Sequence, residues 1–129
     1  MLIESPHNQT TELIIGAAIE VHRAIGPGLL ESIYTRCLRF ELKERRLNFA
    51  TEVRIPITYK RQDLGDHYRV DLIVEDVVVV EVKSVADVLP VHRAQVLTYL
   101  RLTGCEIGLV INFNEATLVE GVHRVMNQR

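Results

Sequence analysis

The stretch "VVVVEVKSV", Val77 to Val85, reads as a buried β-strand until it reaches Glu81 and Lys83. A run that is apolar at every position belongs to a strand covered on both faces, hence to the middle of a sheet. Side chains alternate along a strand, so Glu81 and Lys83 point to one face while Val80 and Val82 point to the other. The preceding strand carries a similar interruption at Asp71, between Val70 and Leu72. The sequence thus places three charges on one hairpin inside an otherwise apolar region.

Whether they meet depends on the turn. A two-residue loop at Glu75 and Asp76 would put Asp71 opposite Val80 and leave Glu81 on the other face. An odd-length connection through Val74, Glu75 and Asp76, with Asp76 left-handed, brings Asp71, Glu81 and Lys83 to one face. We expect that geometry or an equivalent bulge. Two carboxylates a few ångströms apart then repel by about 4 kcal/mol at an effective dielectric near 20. Lys83 offsets part of this, and a hard divalent ion held by two carboxylates and waters would offset the rest. Such an ion activates water and polarises a phosphoryl oxygen, which is the chemistry of phosphodiester hydrolysis. A structural ion pair at a strand end is the competing reading, and an E-x-K spacing alone does not separate the two.

Outward from this hairpin, a helix is expected after a loose lead over residues 1–9, capped by Thr10 or Thr11, with Leu13, Ile14, Ala17, Ala18, Val21 and Ile25 on its apolar face. "IGPGLL" ends it, since Pro27 forbids continuation and Gly26 suits a left-handed cap. A second amphipathic helix is expected from Leu29 to Arg46, with Leu30, Ile33, Cys37 and Phe40 on one face. Glu31, Tyr34 and Leu38 form a separate stripe, which turns the Glu31 carboxylate inward.

"NFATEVRIPITYK" alternates as a half-buried strand, with Pro56 suited to an edge or a bulge, and "RQDLGD" reads as a turn. "LPVHRAQVLTYLRLTG" is a third helix bounded by Pro90 and Gly104, and His92, Gln95 and Tyr99 share one stripe on it. "EIGLVINF" is an apolar strand and "LVEGVHRVM" a short final one. His22 and His92 fit capping or surface hydrogen bonding better than metal ligation, because neither has a His or Cys partner at ligand spacing.

At 129 residues the chain is expected to form a single domain, 1–129. No apolar run reaches the eighteen or so residues of a membrane span, and "MLIESPHNQT" has no basic n-region or apolar h-region, so a cytoplasmic location and no membrane partner are expected. Cys37 and Cys105 lie among apolar neighbours and read as small hydrophobes. A net charge of −2 argues against a generally basic nucleic-acid binder, so any such role needs a local patch. The bases are mostly arginine, with Lys43, Lys60 and Lys83 the only lysines, and guanidinium suits bidentate phosphate contacts.

"GLLESIY" (Gly28, Glu31, Tyr34) matches the signature of the GxxExxY family. "VHRAIGPGLLESIY", "RVDLIVED", "VVEVKSV", "PVHRAQVLTYL" and "GLVINF" resemble that family in order from Leu13 to Val125. The family is assigned to the PD-(D/E)XK nuclease-like superfamily. The resemblance implies an α/β fold with a restriction-endonuclease-like core (αβββαβ), a mixed central sheet flanked by helices, and an extra N-terminal helix.

It also implies site roles. Asp71 is the motif aspartate, and Glu81, Val82 and Lys83 form the (D/E)XK element. Glu31 is the acidic residue of the preceding helix, and Gln95 and Tyr99 are the Q-x-x-x-Y pair. Asp71, Glu81 and Glu31 would bind Mg2+ or Mn2+, and the substrate would be DNA or RNA. Val70 stands where the superfamily name has proline, a position that shapes the turn and carries no chemistry. The rival expectations are a non-catalytic nucleic-acid-binding or assembly module that supports a partner protein, and a homodimer paired through its final strands.

Overall fold

The computed structural model describes residues 6–127. Its elements are α1 (Pro6–Ile25), α2 (Glu31–Glu44), β1 (Phe49–Tyr59), β2 (Gln62–Val74), β3 (Val78–Lys83), α3 (Pro90–Thr103) and β4 (Ile107–Asn112), then a 3-10 turn (Leu118–Gly121) and β5 (Val122–Met126). The strands form one sheet in the order β1-β2-β3-β4-β5. Only the β3–β4 pair is parallel, with α3 as its crossover; the other neighbours are antiparallel. The fold is therefore α/β with a mixed sheet, as expected.

Valines and leucines of β3 and β4 alternate between two cores. Val78, Val80 and Val82 pack with Leu109 and Ile111 beneath α1 and α2, where Ile14, Ala17, Tyr34, Leu38 and Leu42 cover them. Val79 and Val110 pack with Val96, Tyr99 and Leu100 of α3 on the opposite face. This three-layer arrangement explains why β3 is apolar at every position until Glu81. Gly108 of β4 lets α3 approach closely, since a Cβ there would collide with the Val96 side chain.

Several boundaries differ from expectation. Helix α1 already includes residues 6–9, so Thr10 and Thr11 lie inside it, and Thr11 Oγ1 donates to the Asn8 carbonyl. Of the expected loose lead, residues 1–5 lie outside the described residues. Leu13 and Ile25 are exposed edges of the α1 stripe. On α2 the covered face is Tyr34, Leu38 and Leu42, whereas Leu30 and Phe40 are exposed. The expected apolar face was taken one residue out of phase with the sheet it covers.

"RQDLGD" belongs mainly to β2. The turn is the two-residue loop Lys60–Arg61, both at positive φ as a tight hairpin with this twist requires, and Tyr59 pairs with Gln62. Pro56 does lie on edge strand β1, beside a register irregularity. No helix among the described residues is long and apolar enough to cross a membrane. Both cysteines carry free thiols, with Cys105 buried and Cys37 half-buried.

Candidate active site at the mouth of the β2–β3 hairpin

The hairpin connection has three residues, Glu75, Asp76 and Val77, and both Glu75 and Asp76 adopt left-handed backbone. The expected odd length is observed, one residue later than expected. Val74 faces Val78 and Leu72 faces Val80, and the same register sets Asp71 opposite Glu81.

At that pair the backbone ladder gives way to side chains. The Asp71 N–H donates to Glu81 Oε1 at 3.0 Å, and the Val82 N–H donates to Asp71 Oδ2 at 2.9 Å. Each carboxylate thus satisfies a backbone donor of the opposite strand, so the strands can separate without orphaning buried N–H groups. The mouth also marks a change in how β1 and β2 pack. Phe49, Leu72 and Val74 pack with the α1/α2 core, whereas Val53, Ile55, Tyr68 and Val70 pack with the α3 core. The switch falls at Glu52 and Asp71, where direct pairing skips and Glu52 takes a φ of 47°. A non-glycine residue held there stores strain, which folded chains concentrate where geometry matters.

Glu81 is only 4% exposed. Burial, and then the neighbouring Asp71 carboxylate, push its carboxyl up to about 8. Burial also raises Asp71, aided by the charge of Glu31 and opposed by the Val82 N–H and by Lys83. Both shifts run the same way, so the opposed acids hold a proton more readily than two separate carboxylates would. Lys83 is half-buried on the same strand face as Glu81, and its charge favours ionisation of both acids.

Glu31 opens α2 at the site. Its Oε2 accepts from the Ser84 N–H at 3.4 Å, and the Ser84 hydroxyl donates to the Leu29 carbonyl at 2.6 Å. Tyr34, one turn along, donates to the Gly26 carbonyl at 2.6 Å and accepts from the Leu29 N–H at 3.1 Å, with its ring stacked on Phe113. The spacing of Gly28, Glu31 and Tyr34 thereby acquires a physical meaning. Gly28, at a φ of 93°, turns the loop; Tyr34 pins it; Glu31 and Leu29 then fasten it to Ser84, directly after Lys83. Glu31 is itself exposed, contrary to its expected inward turn, because it caps the end of β3 rather than entering the core.

Tyr99 is buried on the α3 side and donates to the Arg69 carbonyl at 3.4 Å, its ring edge-on to Tyr68. Burial and the two acids push its hydroxyl up to about 12, so it stays protonated at neutral pH. Gln95 lies exposed on the preceding turn of α3. His92 departs from the pocket stripe: its Nδ1 accepts from the Leu89 N–H at 3.0 Å and caps α3. His22 bonds the Glu115 carbonyl.

The donor set fits a hard divalent cation, because the opposed carboxylates are oxygen ligands whose buried charge needs compensation. Among the described residues, however, no group of three or more His, Cys, Asp or Glu side chains is arranged to hold a metal. Asp71 and Glu81 are brought together; Glu31 stands beside them, near enough for its charge to act on Asp71.

Sequence reasoning missed Ser84 and Asn112. Buried Asn112 accepts from the Val85 N–H at 3.0 Å and donates to the Val85 carbonyl at 2.9 Å, fixing the chain leaving Lys83. Its signal was a polar residue closing the apolar run of β4.

An α/β fold with a mixed five-stranded sheet and a buried acid pair at the end of its central strands has the architecture of the restriction-endonuclease-like class. The family model described as the PD-(D/E)XK nuclease superfamily matches residues 8–125, and the chain belongs to that superfamily. No curated protein and no solved structure matched the chain.

Proposed function

We propose that this protein is a divalent-metal-dependent nuclease that hydrolyses phosphodiester bonds of DNA or RNA in the cytoplasm. The observation that carries the reading is the reciprocally bonded pair Asp71 and Glu81, buried where β2 and β3 part, with Lys83 on the same strand face as Glu81. Asp71 and Glu81 would hold Mg2+ or Mn2+, with Glu31 assisting through a water. When bound, the ion would polarise the scissile phosphate and offset the charge of the two acids.

The protein's own groups supply the rest. The Lys83 ammonium orients the attacking water and steadies negative charge as the water oxygen bonds to phosphorus, its proton passing to solvent, and the bond to the leaving oxygen breaks, that oxygen taking a proton from solvent. Tyr99, held protonated, is a hydrogen-bond donor rather than a base, and with Gln95 it would shape the α3 side of the acid pair, outside the cleft lined by α2 and the β1–β2 hairpin. Because burial raises the Glu81 carboxyl, an ion would have to displace its proton, and affinity would strengthen with pH.

A binding or assembly module without hydrolysis is the second reading. It is favoured by the net charge of −2, which provides no general excess of cations for phosphate. The two separate on a panel of single-stranded, duplex and branched oligonucleotides incubated with Mg2+ or Mn2+. A nuclease cuts at least one substrate, and Lys83→Ala retains metal binding yet loses cleavage. Binding without cleavage by any divalent ion supports the module instead.

A further inference from the structure

Beside Asp71 lies a cleft of about 440 Å³ whose walls are α2 and the β1–β2 hairpin; Arg36, Arg39 and Arg69 line it together with Thr35, Thr51 and the carboxylates of Asp71, Glu31 and Glu52. We infer that this cleft holds the sugar-phosphate backbone of a single nucleic-acid strand next to the bond presented to the acids, without reading its sequence. The inference rests on the proposed nuclease reading for the chemistry at Asp71 and adds the form of substrate and its mode of recognition.

Three features carry it. First, the arginines come from two elements but face one space, and two of the acids beside them are engaged, Glu52 with Arg69 and Glu31 with the Ser84 N–H, which leaves the Arg36 and Arg39 guanidinium groups as the donors that grip phosphate in a chain of net charge −2. Their planar donors suit bidentate phosphate contacts, and the threonines add hydroxyl donors. Second, Arg69 stands directly opposite Arg54 across the β1–β2 pair. Like charges so placed disfavour pairing, and an anion over that face relieves them. The partner Arg69 has, Glu52 at 3.9 Å, is mostly exposed and holds it weakly.

Third, the cleft is walled on two sides and has the volume of a small-ligand pocket. A nucleotide or two of one strand fits; a paired duplex does not. Among the described residues no aromatic side chain lines it, so those residues offer no platform on which bases stack, and contact falls on the backbone every sequence shares.

The test is fluorescence anisotropy in EDTA, which prevents cleavage, with labelled oligonucleotides of about 15 nucleotides. The probes are oligo-dT, a mixed sequence, its RNA counterpart and the matching duplex. Wild type should bind the single strands with similar affinity and the duplex at least about tenfold more weakly. Arg36→Gln/Arg39→Gln should lose about tenfold or more for every single strand, and its slope of log affinity against log salt should flatten by about 0.7 for each arginine removed. Arg101→Gln, on exposed α3 surface, should bind as wild type does. Circular dichroism confirms that each variant is folded, and Arg69→Gln provides a second probe from the other wall.

Equal binding by the Arg36/Arg39 and Arg101 variants, preference for duplex, or no binding by wild type would overturn the inference. The two readings fail separately. Binding as described with no cleavage under any divalent ion would refute the nuclease reading alone, while cleavage with unaltered binding by the arginine variants would refute this one alone.

Discussion

The two ends of the β2–β3 hairpin are built from the same strands to opposite purposes. At the turn end, Leu72 to Val74 pairs with Val78 to Val80 by backbone bonds, with apolar side chains filling the cores on both faces. At the mouth, one residue beyond Leu72 and Val80, backbone pairing yields to carboxylates, the strands part, and a buried acid pair replaces valines. One end supplies cohesion. The other sets charges where burial opposes them, which a small domain tolerates only if the rest of the sheet is well packed.

If that division is real, substitutions at the two ends should fail in different ways. The largest effect is expected at the mouth: Lys83→Ala should lower cleavage on the order of 10³-fold at saturating metal, while its thermal midpoint stays near wild type. A loss of fold instead would show that Lys83 is part of the cohesive end. At the turn end, Leu72→Ala should destabilise the chain by about 3 kcal/mol in urea titrations, with cleavage per folded molecule retained.

A smaller effect follows from pH. In the folded, metal-free chain the Glu81 carboxyl holds its proton up to about 8, against 4.5 for the free side chain. Between those values the folded state binds more protons than the unfolded state, so stability is greatest at the acidic end and declines as pH rises through 8. Urea midpoints at about pH 5.5 and about pH 8.5 should show that decline in wild type and a flatter profile in Glu81→Gln. The smallest change is expected in Tyr34→Phe. Losing the hydroxyl bonds to Gly26 and Leu29 should cost about 1 kcal/mol and loosen the loop that fastens Ser84, lowering cleavage modestly.

The sequence disclosed the mouth because charge is conspicuous in an apolar strand: Asp71, Glu81 and Lys83 stand out, and the two-residue period sets their face. It disclosed the fold because uninterrupted apolar strands and a Pro-to-Gly helix between them imply a covered parallel pair. The phase of α2 was harder to read. Phe40 and Leu30 are apolar yet exposed, and which stripe meets the sheet is decided by tertiary packing rather than helical periodicity. The hairpin turn at Lys60 and Arg61 was hidden because neither residue carries the usual glycine or asparagine signal. Ser84, Asn112 and the arginine-lined wall could not be assembled from spacing, since their partners lie far away along the chain.

The central claim is that the opposed acids at the mouth form a cation site, and a calorimetric titration with Mn2+ tests it most directly. The account predicts a single saturable site in wild type, accompanied by proton release, and its loss in the folded Asp71→Asn/Glu81→Gln variant. Absence of binding to folded wild type, or equal binding by the variant, would contradict it.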